Sequence, residues 1–110
     1  MQEFDELVEV INKLRIECPW DKEQTHETLA KHLIEEAYEL LDALAKLGSS
    51  DLSYENLKDE LGDLLLQILL HSKIASENNY LPATRAQISV QLNAPAARTS
   101  WASNQPGWRE

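Results

Sequence analysis

Apolar residues recur along the start of this chain at steps of three and four. Phe4, Leu7, Val8, Ile11 and Leu14 line one side of a helix predicted from about residue 2 to residue 16, and its other side is acidic. Pro19 interrupts the pattern. Asp21, followed three places on by Gln24, reads as a helix-entry capping pair, so CPWDKEQTH is expected to be a turn that feeds a second helix. That helix should run from about Thr25 to Leu47, where Gly48, Ser49 and Ser50 supply a stop and a short connection. Asp51 or Ser53 can cap a third helix that continues to about Ser76, ahead of Asn78 and Asn79. Two long helices joined so briefly must pack antiparallel.

Beyond Asn78 the helical periodicity fades. Gln87 to Leu92 alternate like a short strand but have no partner strand, so an extended or irregular tail is expected, with Trp101 and Trp108 able to dock on the bundle. The predicted architecture is all-α: an antiparallel helical bundle over residues 1–77, followed by a divergent, irregular tail over residues 78–110. The run LLLQILL, Leu64 to Leu70, is apolar nearly all round its helix. Such a helix must be covered on every side, which three helices in one short chain cannot do, so the bundle is expected to be completed by homodimerisation.

The two long helices also share an acidic pattern. On a wheel advancing about 100° per residue with Leu33 at zero, Leu29, Leu33, Ala37, Leu40, Leu44 and Leu47 form the apolar arc, with Glu36 at about 300° and Glu39 at about 240°. With Leu57 at zero, Leu61, Leu64, Ile68 and Ala75 form the arc, with Glu60 at about 300° and Asp63 at about 240°. In an antiparallel hairpin, residues at one level have a nearly constant sum of residue numbers. Glu36 with Asp63, and Glu39 with Glu60, have the same sum, so the four carboxylates are predicted to meet at one level on one edge of the helix pair.

Composition narrows the options. The chain of 110 residues fits a single domain and carries a net charge of −9. Residues 1–77 hold 18 acids against 7 bases, a surface that repels nucleic-acid backbone and anionic membrane. Cys18 is the single cysteine, which excludes an internal disulfide or a thiol cluster for zinc. The acidic start MQEFDELVEV is unlike a signal peptide, and no apolar run approaches the roughly 20 residues of a membrane span. A cytoplasmic location is the simplest reading.

An acid pair at i, i+3 on a helix is ordinarily a solvated face. Two matched pairs at one level are different, because unit charges about 6 Å apart at an effective dielectric near 20 repel by roughly 3 kcal/mol. Either the groove is wide open to water, the acids are protonated, or a cation sits among them. Carboxylate oxygens without histidine or thiol suit a hard ion, Mg²⁺ or Mn²⁺. Glu23 and His26 also form one Glu-x-x-His unit of the carboxylate di-iron kind, but a second unit is missing.

The segments LRIECPWDKEQTHETLAKHLIEEAYEL and DELGDLLLQILLH resemble the MazG family of nucleoside triphosphate pyrophosphohydrolases, in the all-α NTP pyrophosphatase superfamily. The family signature pairs E-E-x-x-E with E-x-x-D, read here as Glu35, Glu36, Glu39 and then Glu60, Asp63; the resemblance covers about residues 4 to 77. It implies Mg²⁺-dependent hydrolysis of a nucleoside triphosphate between its α and β phosphates, in a dimeric helical bundle. It also implies that Glu36, Glu39, Glu60 and Asp63 hold the metal, with Glu35 orienting the attacking water. Trp20, beside Pro19, could be a packing plug or could stack on a base, and His26 could contact substrate. The tail departs from the family pattern, lacking a helix with Lys and Arg and a K-L-I-R-R-H-P-H-V-F type of ending. Arg85 or Arg98 could grip the phosphates instead, or a lysine from a partner chain could. The alternative is a degenerate relative that keeps the bundle and binds nucleotide or metal without turnover, or serves as an interaction module.

Overall fold

The computed structural model describes residues 2–87, and they form four α-helices, a short helical segment at 84–87, and no strand. Helix α1 spans Gln2–Glu17, α2 Pro19–Glu23, α3 His26–Ala45 and α4 Ser53–Glu77. The long helices fall where the three-and-four periodicity puts them, and α3 lies antiparallel against α4 in the largest contact between elements.

The segment expected to be a turn contains a helix of its own. Pro19 stands in the first turn of α2, where its fixed φ suits the helix and its missing N–H costs nothing. The Lys22 amide then closes the turn by donating to Cys18 O at 2.9 Å. Asp21 is therefore inside α2, and the cap of α3 falls to Thr25: its hydroxyl accepts from the Thr28 amide at 3.2 Å while Thr28 Oγ1 accepts from the Thr25 amide at 2.8 Å. The capping box is present, but with threonine at the position where glutamate or glutamine is usual.

Arg15 ties α2 in place. Its guanidinium donates to the carbonyls of Asp21, Lys22 and Gln24 at the end of α2 and makes a two-bond pair with Glu77 at 2.9 and 2.6 Å. That one side chain joins α1, α2 and the end of α4. Its bonds hold the Glu77 carboxyl below the usual range, and the hydrogen bond from Arg15 is the largest cause. The planar fork is what permits this, since its five donors include the parallel pair that fits a carboxylate, where an ammonium has only three.

The hairpin connection uses Gly48 at φ +82°, a left-handed value that favours glycine. Ser53 does not cap α4. It is the first helical residue, buried, with its hydroxyl accepting from the Gly48 amide at 3.0 Å and donating to Ser50 O at 2.8 Å, so it fastens the connection. Asn79 turns the chain at φ +61°, a value Asn tolerates better than most residues. The chain then returns along α4. Residues 84–87 are helical, Thr84 is buried, and the Gln87 side-chain amide exchanges hydrogen bonds with Ser72 at 2.8 and 3.0 Å. The tail is thus ordered further than periodicity implies. The proposed strand to Leu92, Arg98, Trp101 and Trp108 lie outside the described residues.

The core joins Ile11, Leu29, Leu69, Leu70 and Ile74, with Phe4, Leu7 and Leu66 packed against it. This corrects the arc read for α4. Leu61 and Ile68, assigned to its buried face, are about half exposed, while Leu69, Leu70 and Ile74 are buried. A helix apolar all round gives periodicity no single answer, and α1 and α3 can cover only part of it. The uncovered part is regular. Ile34, Tyr38 and Leu41 on α3 and Leu61, Leu65 and Ile68 on α4 repeat at steps of four and three and are 40 to 69% exposed.

Candidate metal centre

Glu36 and Glu39 come from α3, Glu60 and Asp63 from α4. The antiparallel register brings them to one level, and each offers a carboxylate oxygen within 4.8 Å of the others. Glu36 and Glu60 are half-buried, Glu39 and Asp63 exposed. Among the described residues, no Lys or Arg pairs with any of the four; the nearby Lys31 Nζ lies 3.9 Å from Glu35, and His32 Nδ1 approaches the same carboxylate at 3.7 Å.

This crowding raises proton affinity. The Glu36 carboxyl is pushed above the usual carboxylate range, first by burial and then by the charges of Glu39 and Asp63. Glu60 is pushed up as well, first by burial and then by its hydrogen bond and charge interaction with Glu39. Glu36 Oε2 and Glu60 Oε2 are sealed from solvent without a hydrogen-bond partner among the described residues. Sealed carboxylate oxygens lacking donors are what a cation satisfies. An all-oxygen donor set with several carboxylates fits Mg²⁺ or Mn²⁺.

Comparison with known proteins is consistent with this arrangement. The sequence profile described as the MazG nucleotide pyrophosphohydrolase domain matches residues 24–90, which include all four acids. The chain belongs to the MazG family. It is 48% identical over 85 residues to the nucleoside triphosphate pyrophosphohydrolase of Mycobacterium tuberculosis, covering 77% of this chain and 25% of that protein. It is 46% identical over 76 residues to the nucleoside triphosphate pyrophosphohydrolase/pyrophosphatase MazG of Thermotoga maritima, covering 67% of this chain and 28% of that protein. With the Escherichia coli K12 nucleoside triphosphate pyrophosphohydrolase it shares 41% identity over 80 residues, 70% of this chain and 28% of the relative. The chain thus spans about a quarter of the length of these relatives.

The other residues singled out from sequence stand apart from the four acids of this MazG chain. Glu35 is on the exposed side of α3, next to Glu36 but outside the group of four. Trp20, on α2, meets the ring of His32 edge-on, centroids 5.9 Å apart. Arg85 turns to α1, with Nε 3.5 Å from Asp5 Oδ1. His26 meets His71 of α4, Nδ1 to Nδ1 at 2.8 Å. Those rings are 6° from parallel with centroids 5.1 Å apart, a separation that exceeds the N–N distance by the two ring radii. The rings are therefore coplanar and meet head-on through one shared proton, which pins the start of α3 to α4. Burial, then the neighbouring His26, lowers the His71 pKa.

Two residues escaped the sequence reading. Gln67 is buried with Oε1 unpartnered among the described residues, and His71 Nε2 is likewise sealed. The signal for Gln67 was a single polar letter inside LLLQILL, on the same side of α4 as Glu60 and Asp63.

Proposed function

We propose that this chain hydrolyses nucleoside triphosphates to the monophosphate and pyrophosphate, with Mg²⁺, or Mn²⁺ in its place, held by Glu36, Glu39, Glu60 and Asp63. The observation that carries the proposal is the convergence of these four carboxylates with two sealed, unpartnered oxygens among them. Family membership supports it, as do the names of the relatives. When bound, the ion would supply charge neutralisation of the triphosphate and activation of water for attack on phosphorus.

The protein residues have separable tasks. The four acids fix where the triphosphate sits, because its charge cannot approach a bare anionic cluster. Glu35, beside the cluster and partnered by Lys31 and His32, orients the attacking water. Trp20, half-exposed and braced against His32, is a surface for the base. Arg85 and Arg98, two of the three tail arginines, are the cations assigned to the phosphates. Because Arg85 faces Asp5, a second reading keeps some ground: a relative that binds nucleotide without turnover. With a single cysteine and no described helix long and apolar enough to cross a membrane, a cytoplasmic setting suits either.

The test is a panel of nucleoside triphosphates with Mg²⁺, scored for monophosphate and pyrophosphate. Both products in equal amounts are expected. Saturable binding with no product would select the second reading, and neither binding nor product would remove both.

The active unit in this proposal is a homodimer. The repeated stripe Ile34, Tyr38, Leu41, Leu61, Leu65 and Ile68 supports it, since burying one such side chain contributes about 1.5 to 3 kcal/mol. Light scattering at micromolar concentration should give twice the chain mass. A monomer there would contradict the dimer.

A further inference from the structure

We propose that Gln67 is a substrate-binding residue that holds a sugar hydroxyl of the nucleotide one helical turn beyond the acid cluster; this rests on the pyrophosphohydrolase reading above. Gln67 interrupts an apolar run and is only 8% exposed, with Oε1 sealed and unpartnered among the described residues. Leaving a buried amide unpaired is costly, and a leucine there would simply continue the core. Its unpartnered oxygen asks for a ligand.

The position of the side chain indicates which ligand. The sealed, unpartnered side-chain atoms of the described residues belong to Glu36, Glu60, Gln67 and His71, and three of these follow one stripe of α4 at steps of seven and four. Around the α4 axis Gln67 falls at about 280°, between Asp63 at about 240° and Glu60 at about 300°, and it lies roughly 6 Å further along the helix than Asp63. The register that levels Glu36 with Asp63 levels His32 with Gln67, and His32 carries the Trp20 ring. The level next to the acids therefore combines a buried amide with an exposed aromatic pair.

A nucleotide fits that order of groups. With its phosphates at the acids, the sugar hydroxyls follow after a few single bonds from the α-phosphorus, at the level of Gln67. The amide offers an acceptor and a donor, and a hydroxyl offers a donor and an acceptor. An internal water could also satisfy Gln67. That explanation predicts an effect on stability with none on nucleotide discrimination.

The experiment compares wild type with Gln67→Leu and Gln67→Met, two apolar replacements so that a folding defect in one does not decide the result. KM and kcat are measured for a ribonucleoside triphosphate and its 2′-deoxy and 3′-deoxy counterparts, and inorganic triphosphate serves as a competitive inhibitor. If turnover is absent, dissociation constants replace KM. For the nucleotide bearing the recognised hydroxyl, KM should rise about 5- to 10-fold in both variants, the size of one lost hydrogen bond, with kcat within about twofold. The analogue lacking that hydroxyl should lose nothing, inhibition by inorganic triphosphate should be unchanged, and the ligand-free melting temperature should hold or rise. An equal change for all three sugars and for inorganic triphosphate, or no change in any, overturns the assignment while leaving the pyrophosphohydrolase reading intact. A wild type that neither turns over nor binds any nucleotide overturns both.

Discussion

Glu39→Gln is expected to lower Mg²⁺-dependent pyrophosphate release by about a hundredfold or more, without loss of helix. Glu39 is the hub of the cluster: its charge acts on Glu36 of its own helix and on Glu60 across the seam, and helps raise the proton affinity of both. The amide keeps the shape of the side chain but removes one of four negative charges and one oxygen donor of a set that a hard ion requires. Charge stabilisation by a positioned ion is a leading contribution in phosphoryl transfer, so losing a ligand falls on kcat. Metal-free stability should move the other way, because the introduced amide would relieve repulsion and can donate to its neighbours. Loss of activity with a held or raised melting temperature separates a catalytic defect from a folding defect. Equal turnover in variant and wild type would remove these acids from the mechanism.

A second large effect is expected in stability as a function of pH and Mg²⁺. Glu36 and Glu60 have folded-state pKa values raised above the ordinary 4.5, so in this window the folded chain binds more protons than the unfolded chain. Their contribution is fully present below the unfolded value and is lost as pH rises through the raised values. The sign is opposite to that of a salt-bridged carboxylate such as Glu77, whose depressed pKa gives stability that is lost as pH falls. In the metal-free protein, wild type should therefore lose stability relative to a Glu36→Gln, Glu60→Gln double variant as pH climbs above about 4.5. Mg²⁺ should restore it, and more so at higher pH, because the ligands must be deprotonated to bind. At a hundred times its dissociation constant the ion adds about 2.7 kcal/mol, or roughly 10 to 20 °C for a domain of this size. Thermal melts of both proteins, with and without Mg²⁺ across pH, read this directly. An Mg²⁺ shift of equal size in the double variant would place the ion elsewhere.

The hairpin and the acidic level could be read from the chain because both depend on local rules. Helical periodicity fixes Glu36 and Glu39 at set angles from Leu33, a short connection fixes the register, and the four oxygens then meet within 4.8 Å. What could not be read lies where periodicity is silent. Helix α2 is five residues long, too short for any repeat, and depends on Pro19 at its start. The Thr25–Thr28 cap hides because a threonine hydroxyl takes the place of the usual carboxylate. The buried side of α4 was ambiguous because Leu61, Leu65 and Ile68 are as apolar as Leu69, Leu70 and Ile74. The joins made by Arg15 with Glu77 and by His26 with His71 link residues far apart in sequence, which only the folded chain brings together.

The central claim is that the seam between α3 and α4 holds a divalent cation, and Mn²⁺ tests it most directly. Free Mn²⁺ gives a strong paramagnetic resonance signal that is lost on binding. Titrating wild type, Glu39→Gln and the Glu36→Gln, Glu60→Gln double variant should show saturable loss of signal in wild type, weaker loss in the single variant and none in the double variant. Equal loss in all three, or no loss in wild type, would contradict the account.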